Sequence, residues 1–233
     1  MKNIKNLMLV LISVLLLPSC GKGQGKTVVL SNGKTKNTDV HRAAEYVEKN
    51  NLGTYAVATF AGGCFWCTEA SFERIKGVKE VISGYAGGPE EYPTYSEVSN
   101  KKTKHTEAIQ IFYDPEVITY EKLLEVFFVA HNPTQYHQQG PDVGPQYRSA
   151  IFYHDAKQQQ LTENYIKQLD DFGKFATGIV TEVNEYKEFW VAEAYHQDYY
   201  EINPGNPYIM TVSRPKVEKV KKTFKDILKE EYK

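Results

Sequence analysis

The first apolar run of the chain is also its longest. Residues 7–17 read LMLVLISVLLL, preceded by Lys2 and Lys5 and followed by Pro18. A helix that spans a bilayer needs ~20 apolar residues, so this run predicts the h-region of a signal peptide. From residue 21 to about 54 the pattern turns polar. Gly, Lys, Asn and Thr dominate 21–37 with no sustained apolar period, which predicts a tether. A short helical patch over 40–49 would place Ala43, Ala44 and Val47 on one side.

Regular patterning begins at residue 55. Residues 55–60 (YAVATF) predict a buried strand, broken by Gly62-Gly63. A helical pattern follows over 64–76, with Gly77 as its C′ residue. Residues 78–85 predict a second strand, ended by Gly87-Gly88-Pro89, and 107–113 (EAIQIFY) alternate as a third, ended by Asp114-Pro115. Residues 119–131 predict an amphipathic helix with Leu123, Leu124, Phe127 and Phe128 on its apolar side. Strand 148–153 comes next. A helix to about 171 follows, capped by Asp155, with Gln158 at the capping-box position. Residues 178–183 (GIVTEV) form the last predicted strand. This order mixes βαβ and hairpin units. It predicts an α+β domain over 55–233, a two-layer sandwich with a ferredoxin-like core.

Composition narrows the class. With 41% hydrophobic and 24% charged residues the chain is globular rather than disordered. A formal net charge of -1 argues against nucleic-acid binding. Three cysteines, Cys20, Cys64 and Cys67, are too few for a disulfide scaffold. Cys20 stands where the apolar run stops, in Leu17-Pro18-Ser19-Cys20-Gly21. This resembles a bacterial lipoprotein cleavage site; the alternative is an ordinary signal peptide with a stray cysteine. The resemblance implies a signal over 1–19, a lipid on Cys20 and a tether over 20–54. It implies an exported lipoprotein in the cell envelope, facing the periplasm and touching the membrane only through its lipid anchor.

The densest chemistry lies in Gly62-Gly63-Cys64-Phe65-Trp66-Cys67. A strand ends, two glycines turn the chain, and a cysteine opens a helix. Unpaired N–H groups and the positive dipole end favour a thiolate there, so Cys64 is expected to be more acidic than a free thiol. Cys67 follows one helical turn on, near enough for a redox pair. Other readings are half of a zinc site, inert core thiols and a thioredoxin-type dithiol. No second cysteine pair completes a zinc site.

The stretch AGGCFWCTEASF resembles the active-site motif of the peptide methionine sulfoxide reductase A family. The likeness continues in order through GYAGG (84–88), PTYSEV (93–98), HTEAIQIFYDP (105–115), NPTQ (132–135), QYRSAIFY (146–153) and AEAYHQDYY (192–200). It implies an α+β fold and reduction of the S-epimer of methionine sulfoxide, in proteins and as the free amino acid. Cys64 matches the nucleophile. Phe65 and Trp66 match the cradle of the substrate methyl, and Glu107 the acid that protonates the sulfoxide oxygen. Tyr95 and Tyr147 match tyrosines that hydrogen-bond that oxygen, and Asp142 an acidic residue of the same pocket. No bound cofactor or metal is expected. The expected partners are oxidised proteins and peptides and a thioredoxin-like dithiol reductant, with the enzyme a monomer. The chain departs from the family at Thr106, at Asn132 and in having no cysteine after Cys67. Recycling must then differ from relatives that use a C-terminal cysteine, and Cys67 is the internal thiol left to resolve a Cys64 sulfenic acid. The competing functions are a tethered thiol-disulfide oxidoreductase of proteins and a non-enzymatic ligand-binding lipoprotein.

Overall fold

Strand-forming runs and helix caps set the order of elements in the computed structural model, which describes residues 25–233. The signal run and Cys20 lie outside the described residues. In chain order the elements are β1 (Lys26–Val29), β2 (Thr35–Thr38), β3 (His41–Arg42), α1 (Ala43–Lys49), β4 (Ala56–Gly62) and α2 (Phe65–Glu73). Then come β5 (Val78–Ala86), α3 (Tyr95–Ser99), β6 (Thr106–Tyr113), α4 (Tyr120–Ala130), β7 (Gln138–Gln139) and β8 (Asp142–Val143). The rest is β9 (Ser149–Tyr153), α5 (Ala156–Asp171), β10 (Glu182–Glu185), β11 (Phe189–Val191), α6 (Tyr199–Ile202) and α7 (Arg214–Thr223).

The main sheet runs β10-β9-β4-β6-β5-β11-β3. Its inner four strands, β9-β4-β6-β5, are antiparallel neighbours throughout. With α2 between β4 and β5, and α4 between β6 and β9, this is the split βαβ arrangement of a ferredoxin-like core. The α5 crossover adds β10 parallel to β9. Helices α2 and α4 pack on one face, and α7 lies across both. Phe60 sits at the centre of that layer, its ring 5.8 Å from Phe72, 5.9 Å from Tyr120 and 4.9 Å from Phe127. The other face buries Ile82, Phe112, Phe152 and Phe189 together with Ala43 of α1 and Leu52.

Five expectations need correcting. Residues 26–54 are not bare tether. They form the β1–β2 hairpin, strand β3 paired with β11, and α1. Their partners lie far along the chain, as when Arg42 sets its guanidinium 5.5 Å over the Trp190 ring, so local periodicity misses them. Strand β6 alternates in sequence yet is buried at every position, because both faces of the sheet are covered; Gln110 meets this by donating to Thr59 Oγ1 at 3.2 Å. The last predicted strand lies later, at Glu182–Glu185. Helix α2 stops at Glu73, so Gly77 (φ 83°) belongs to the turn into β5 instead. Asp155 does cap α5, accepting from Gln158 N at 2.8 Å, but the Gln158 side chain bonds His154 N and Val57 O in place of a reciprocal box.

Candidate active site

The turn after β4 delivers the first cysteine. Gly63 has φ 91°, and a Cβ there would lie 2.5 Å from Gln139 Cγ. A glycine is needed for both the left-handed backbone and the close approach of β7. Cys64 is the N-cap residue of α2 (φ -55°, ψ 124°), and its carbonyl accepts from Cys67 N at 3.2 Å. Both thiols are free and buried, with 5% and 2% exposure.

The helix terminus serves a different group from the one expected. Cys64 takes no capping hydrogen bond. The first helical N–H, that of Phe65, donates instead to Glu107 Oε2 at 3.0 Å. Glu107 comes from β6 and is 2% exposed. Burial pushes its carboxyl up to about 8, although the Phe65 N–H pulls the other way; Asp142 and Cys67 push further up. Desolvation is the larger effect, so Glu107 holds a proton at neutral pH.

The expected acidity of Cys64 is overturned. Burial raises its thiol well above the ordinary range, and the hydrogen bond to Cys67 and the neighbouring Cys67 and Glu107 charges add to this. Cys67 is brought down to about 7 by the Cys64 hydrogen bond, helped by Lys216 and Ser213 and against its own burial. Cys64 therefore holds its proton more firmly than Cys67 does. A helix dipole is worth at most ~2 kcal/mol, too little to offset burial of the N-cap thiol.

The remaining expected residues converge here. Tyr95 opens α3, and its backbone N–H donates to Glu193 Oε1 at 2.8 Å. Tyr147 lies in the short turn before β9. Both hydroxyls hold their protons more firmly than usual, through burial first and then the nearby Glu107, Cys64 and Asp142. Asp142, in β8, accepts from the Tyr208 hydroxyl at 2.6 Å. Phe65 is fully buried, its ring 6.0 Å from Tyr85 and 5.0 Å from His196. Trp66 stacks on Tyr199 at 3.9 Å, meets Tyr208 edge-on at 5.9 Å, and donates from Nε1 to His196 Nδ1 at 3.2 Å.

Sequence reasoning missed Tyr208, His196, Glu193 and Tyr199 as site residues. Tyr208, whose hydroxyl proton goes to Asp142, stands beside Cys64 and favours its anion. Burial keeps His196 neutral, with its pKa near 4, so Nδ1 is free to accept from Trp66. Glu193 accepts from Tyr85 Oη at 2.7 Å as well as from Tyr95 N, so it joins β5 to α3 beneath the site. His196 and Tyr199 lie in AEAYHQDYY, which carried the resemblance without a role. Tyr208 follows Asn206-Pro207 and gave no signal. Clefts of about 600 Å³ along α7 and about 550 Å³ beside the start of α5 contain none of these groups. Among the described residues no cluster of three or more His, Cys, Asp or Glu is arranged to hold a metal ion.

A buried dithiol at a helix start, beside a carboxyl that keeps its proton, defines a thiol-dependent oxidoreductase. The family model for peptide methionine sulfoxide reductase matches residues 56–228, and the chain belongs to that family. A peptide methionine sulfoxide reductase MsrA from Natronomonas pharaonis is 52% identical over 169 residues, covering 72% of this chain and 95% of the relative. MsrA 1 of Rhodopirellula baltica is 46% identical over 186 residues, covering 80% and 96%. Among solved structures, reduced Mxr1 from Saccharomyces cerevisiae superposes with a TM-score of 0.60 at 34% identity, covering 65% of this chain and 87% of that one. The chain is accordingly an oxidoreductase that reduces methionine sulfoxide by thiol chemistry.

The state of Glu107 is measurable through stability. Its folded pKa, about 8, lies above the unfolded value of ~4.3. Burial of this group therefore carries no penalty below the unfolded value. The penalty grows as pH rises and levels off once the folded carboxyl ionises. Glu107→Gln is neutral at every pH. It is expected to gain stability over the unmodified protein between pH 4 and 8, on the order of a few kcal/mol, read from urea unfolding at both pH values. A difference that does not change with pH would mean that the carboxyl is ionised in the fold.

Proposed function

We propose that the protein reduces the S-epimer of methionine sulfoxide, in peptides and as the free amino acid, through a Cys64 sulfenic acid and a Cys64–Cys67 disulfide. The protonated, buried Glu107 beside the dithiol carries this reading. A sulfoxide sulfur is a poor electrophile until its oxygen is protonated. In the proposed reaction the Cys64 proton passes to Cys67, its hydrogen-bond partner, and the Cys64 sulfur attacks the sulfoxide sulfur. Glu107 gives its proton to the oxygen. Tyr95 and Tyr147 donate hydrogen bonds to that oxygen, and their retained protons suit them to this. Phe65 and Trp66 receive the methyl group, and Tyr208 orients Asp142 at the pocket wall. The oxygen ends on Cys64 as a sulfenic acid and methionine leaves.

Cys67 then attacks the Cys64 sulfur. The S–S bond forms, the S–O bond breaks, and hydroxide leaves as water with the thiol proton. An external thioredoxin-like dithiol opens the disulfide and is itself oxidised. The enzyme acts as a monomer.

One equivalent of racemic sulfoxide, followed by rapid quench and mass spectrometry, tests the chemistry. Half of the substrate is expected to be consumed, because each epimer has its own reductase, and Cys64–Cys67 is expected as the protein product. Cys67→Ser should complete one slower turnover without cycling, and Cys64→Ser none. A persistent sulfenic acid in the unmodified protein, or loss of both epimers, contradicts the proposal.

We further propose that residues 1–19 are a signal, that Cys20 carries lipid, and that the enzyme repairs oxidised proteins of the cell envelope on its periplasmic side. The support is the apolar run that ends at Leu17-Pro18-Ser19-Cys20. Cys20→Ala is expected to move the protein from the membrane fraction to the soluble one. Retention in membranes rules the anchor out.

A further inference from the structure

Recycling through Cys67 demands that this thiol be ionised when it is needed. Of the groups that favour its anion, the first is the Cys64 thiol. That group is consumed once Cys64 has taken up the sulfoxide oxygen. Whatever keeps Cys67 reactive in the sulfenic state must come from elsewhere.

Two side chains beyond the family motif are placed for this. Ser213 is fully buried, and its Oγ lies 3.1 Å from Cys67 Sγ. It ends the π-helical turn Ile209–Ser213 that runs straight into α7, and α7 packs against α2. Lys216 follows three residues later, on the same face of this helix as Ser213. Its Nζ is buried and has no hydrogen-bond partner among the described residues. A cation withdrawn from water without a partner is costly unless an anion faces it. Its field reaches two groups: His131, which burial holds neutral with a pKa near 4, and Cys67. π-Turns of this kind recur at functional sites because they re-aim side chains within a helix.

We propose that Lys216, together with Ser213, holds Cys67 as a thiolate during recycling, so that Lys216 is the positioning residue for the resolving step. This inference rests on the Cys64–Cys67 disulfide reading above. In the sulfenic state the Ser213 hydroxyl donates to the Cys67 anion, and the Lys216 ammonium supplies the opposing charge. Cys67 gives up its proton and attacks Cys64, the S–S bond forms, the S–O bond breaks, and hydroxide leaves as water with that proton. When the external dithiol later opens the disulfide, the same pair makes Cys67 the better leaving thiolate, since a thiol of lower pKa leaves faster. The other charged or titratable groups facing Cys67 are Cys64, Glu107, Asp142 and Tyr208.

The test follows disulfide formation after one equivalent of methionine sulfoxide, by rapid quench and mass spectrometry from pH 6 to pH 9. Lys216→Met removes the charge and keeps the length. It is expected to slow disulfide formation about tenfold at pH 7 and to converge on the unmodified rate at high pH, as a thiol returned to ~8.5 ionises. Lys216→Arg should restore most of the rate. Ser213→Ala should shift the profile in the same direction, and it carries the comparison if Lys216→Met does not fold. Thiolate absorbance of the reduced protein should move to higher pH in Lys216→Met. An unchanged rate and profile in both variants overturns the inference while leaving the disulfide intact. Absence of the disulfide from the unmodified protein overturns the dithiol reading and this inference together.

Discussion

The hydrogen bond from Phe65 N–H to Glu107 is the constraint around which the site is arranged. It spends the first free donor of α2 on a carboxyl from the middle strand of the sheet. That is possible only because β6 is covered on both faces, so Glu107 has nowhere to go but inward. It also requires β4 to end in two glycines, the second with a left-handed backbone, so that α2 begins directly over β6. The N–H steadies the carboxyl without ionising it, because the loss of water outweighs a single backbone donor. An acid and a thiol are thereby kept side by side, both protonated and both buried.

The dithiol divides its work by environment. Cys64 is the N-cap thiol next to the acid, and it keeps its proton until substrate arrives. Cys67 lies one turn deeper, against Ser213 and within the field of Lys216, and gives up its proton more readily. A nucleophile that stays neutral at rest is protected from oxidants that attack thiolates. The aromatic wall of Trp66, Tyr199, Tyr208 and His196 excludes solvent around it, and the Trp66–His196 hydrogen bond fixes the orientation of the indole.

Much of this was legible in the chain itself. The Gly-Gly-Cys turn, the strand that bears Glu107 and the Asp155 cap of α5 are written in adjacent residues, where local rules operate. The inner four strands followed from the alternation of patterns along the chain. What could not be read depends on contacts between distant residues. Tyr208 reaches Asp142 across 66 residues, His196 reaches Trp66 across 130, and Ser213 reaches Cys67 across 146. At one end of the sheet, β3 and β11 are only two and three residues long, too short for a period to register, and are held by each other, by the pairing of β11 with β5 and by Arg42 on Trp190. The acidity of Cys64 was misjudged for a related reason. Its place at a helix start is local, but its burial depends on the whole fold.

The most direct measurement is the infrared carboxyl band of Glu107, isolated as the difference between the reduced protein and Glu107→Gln. The band of a protonated carboxyl is expected at pH 7 and should disappear with a midpoint near pH 8. A difference spectrum that shows only carboxylate at pH 7 would contradict the account, because no buried acid would then be available for the sulfoxide oxygen.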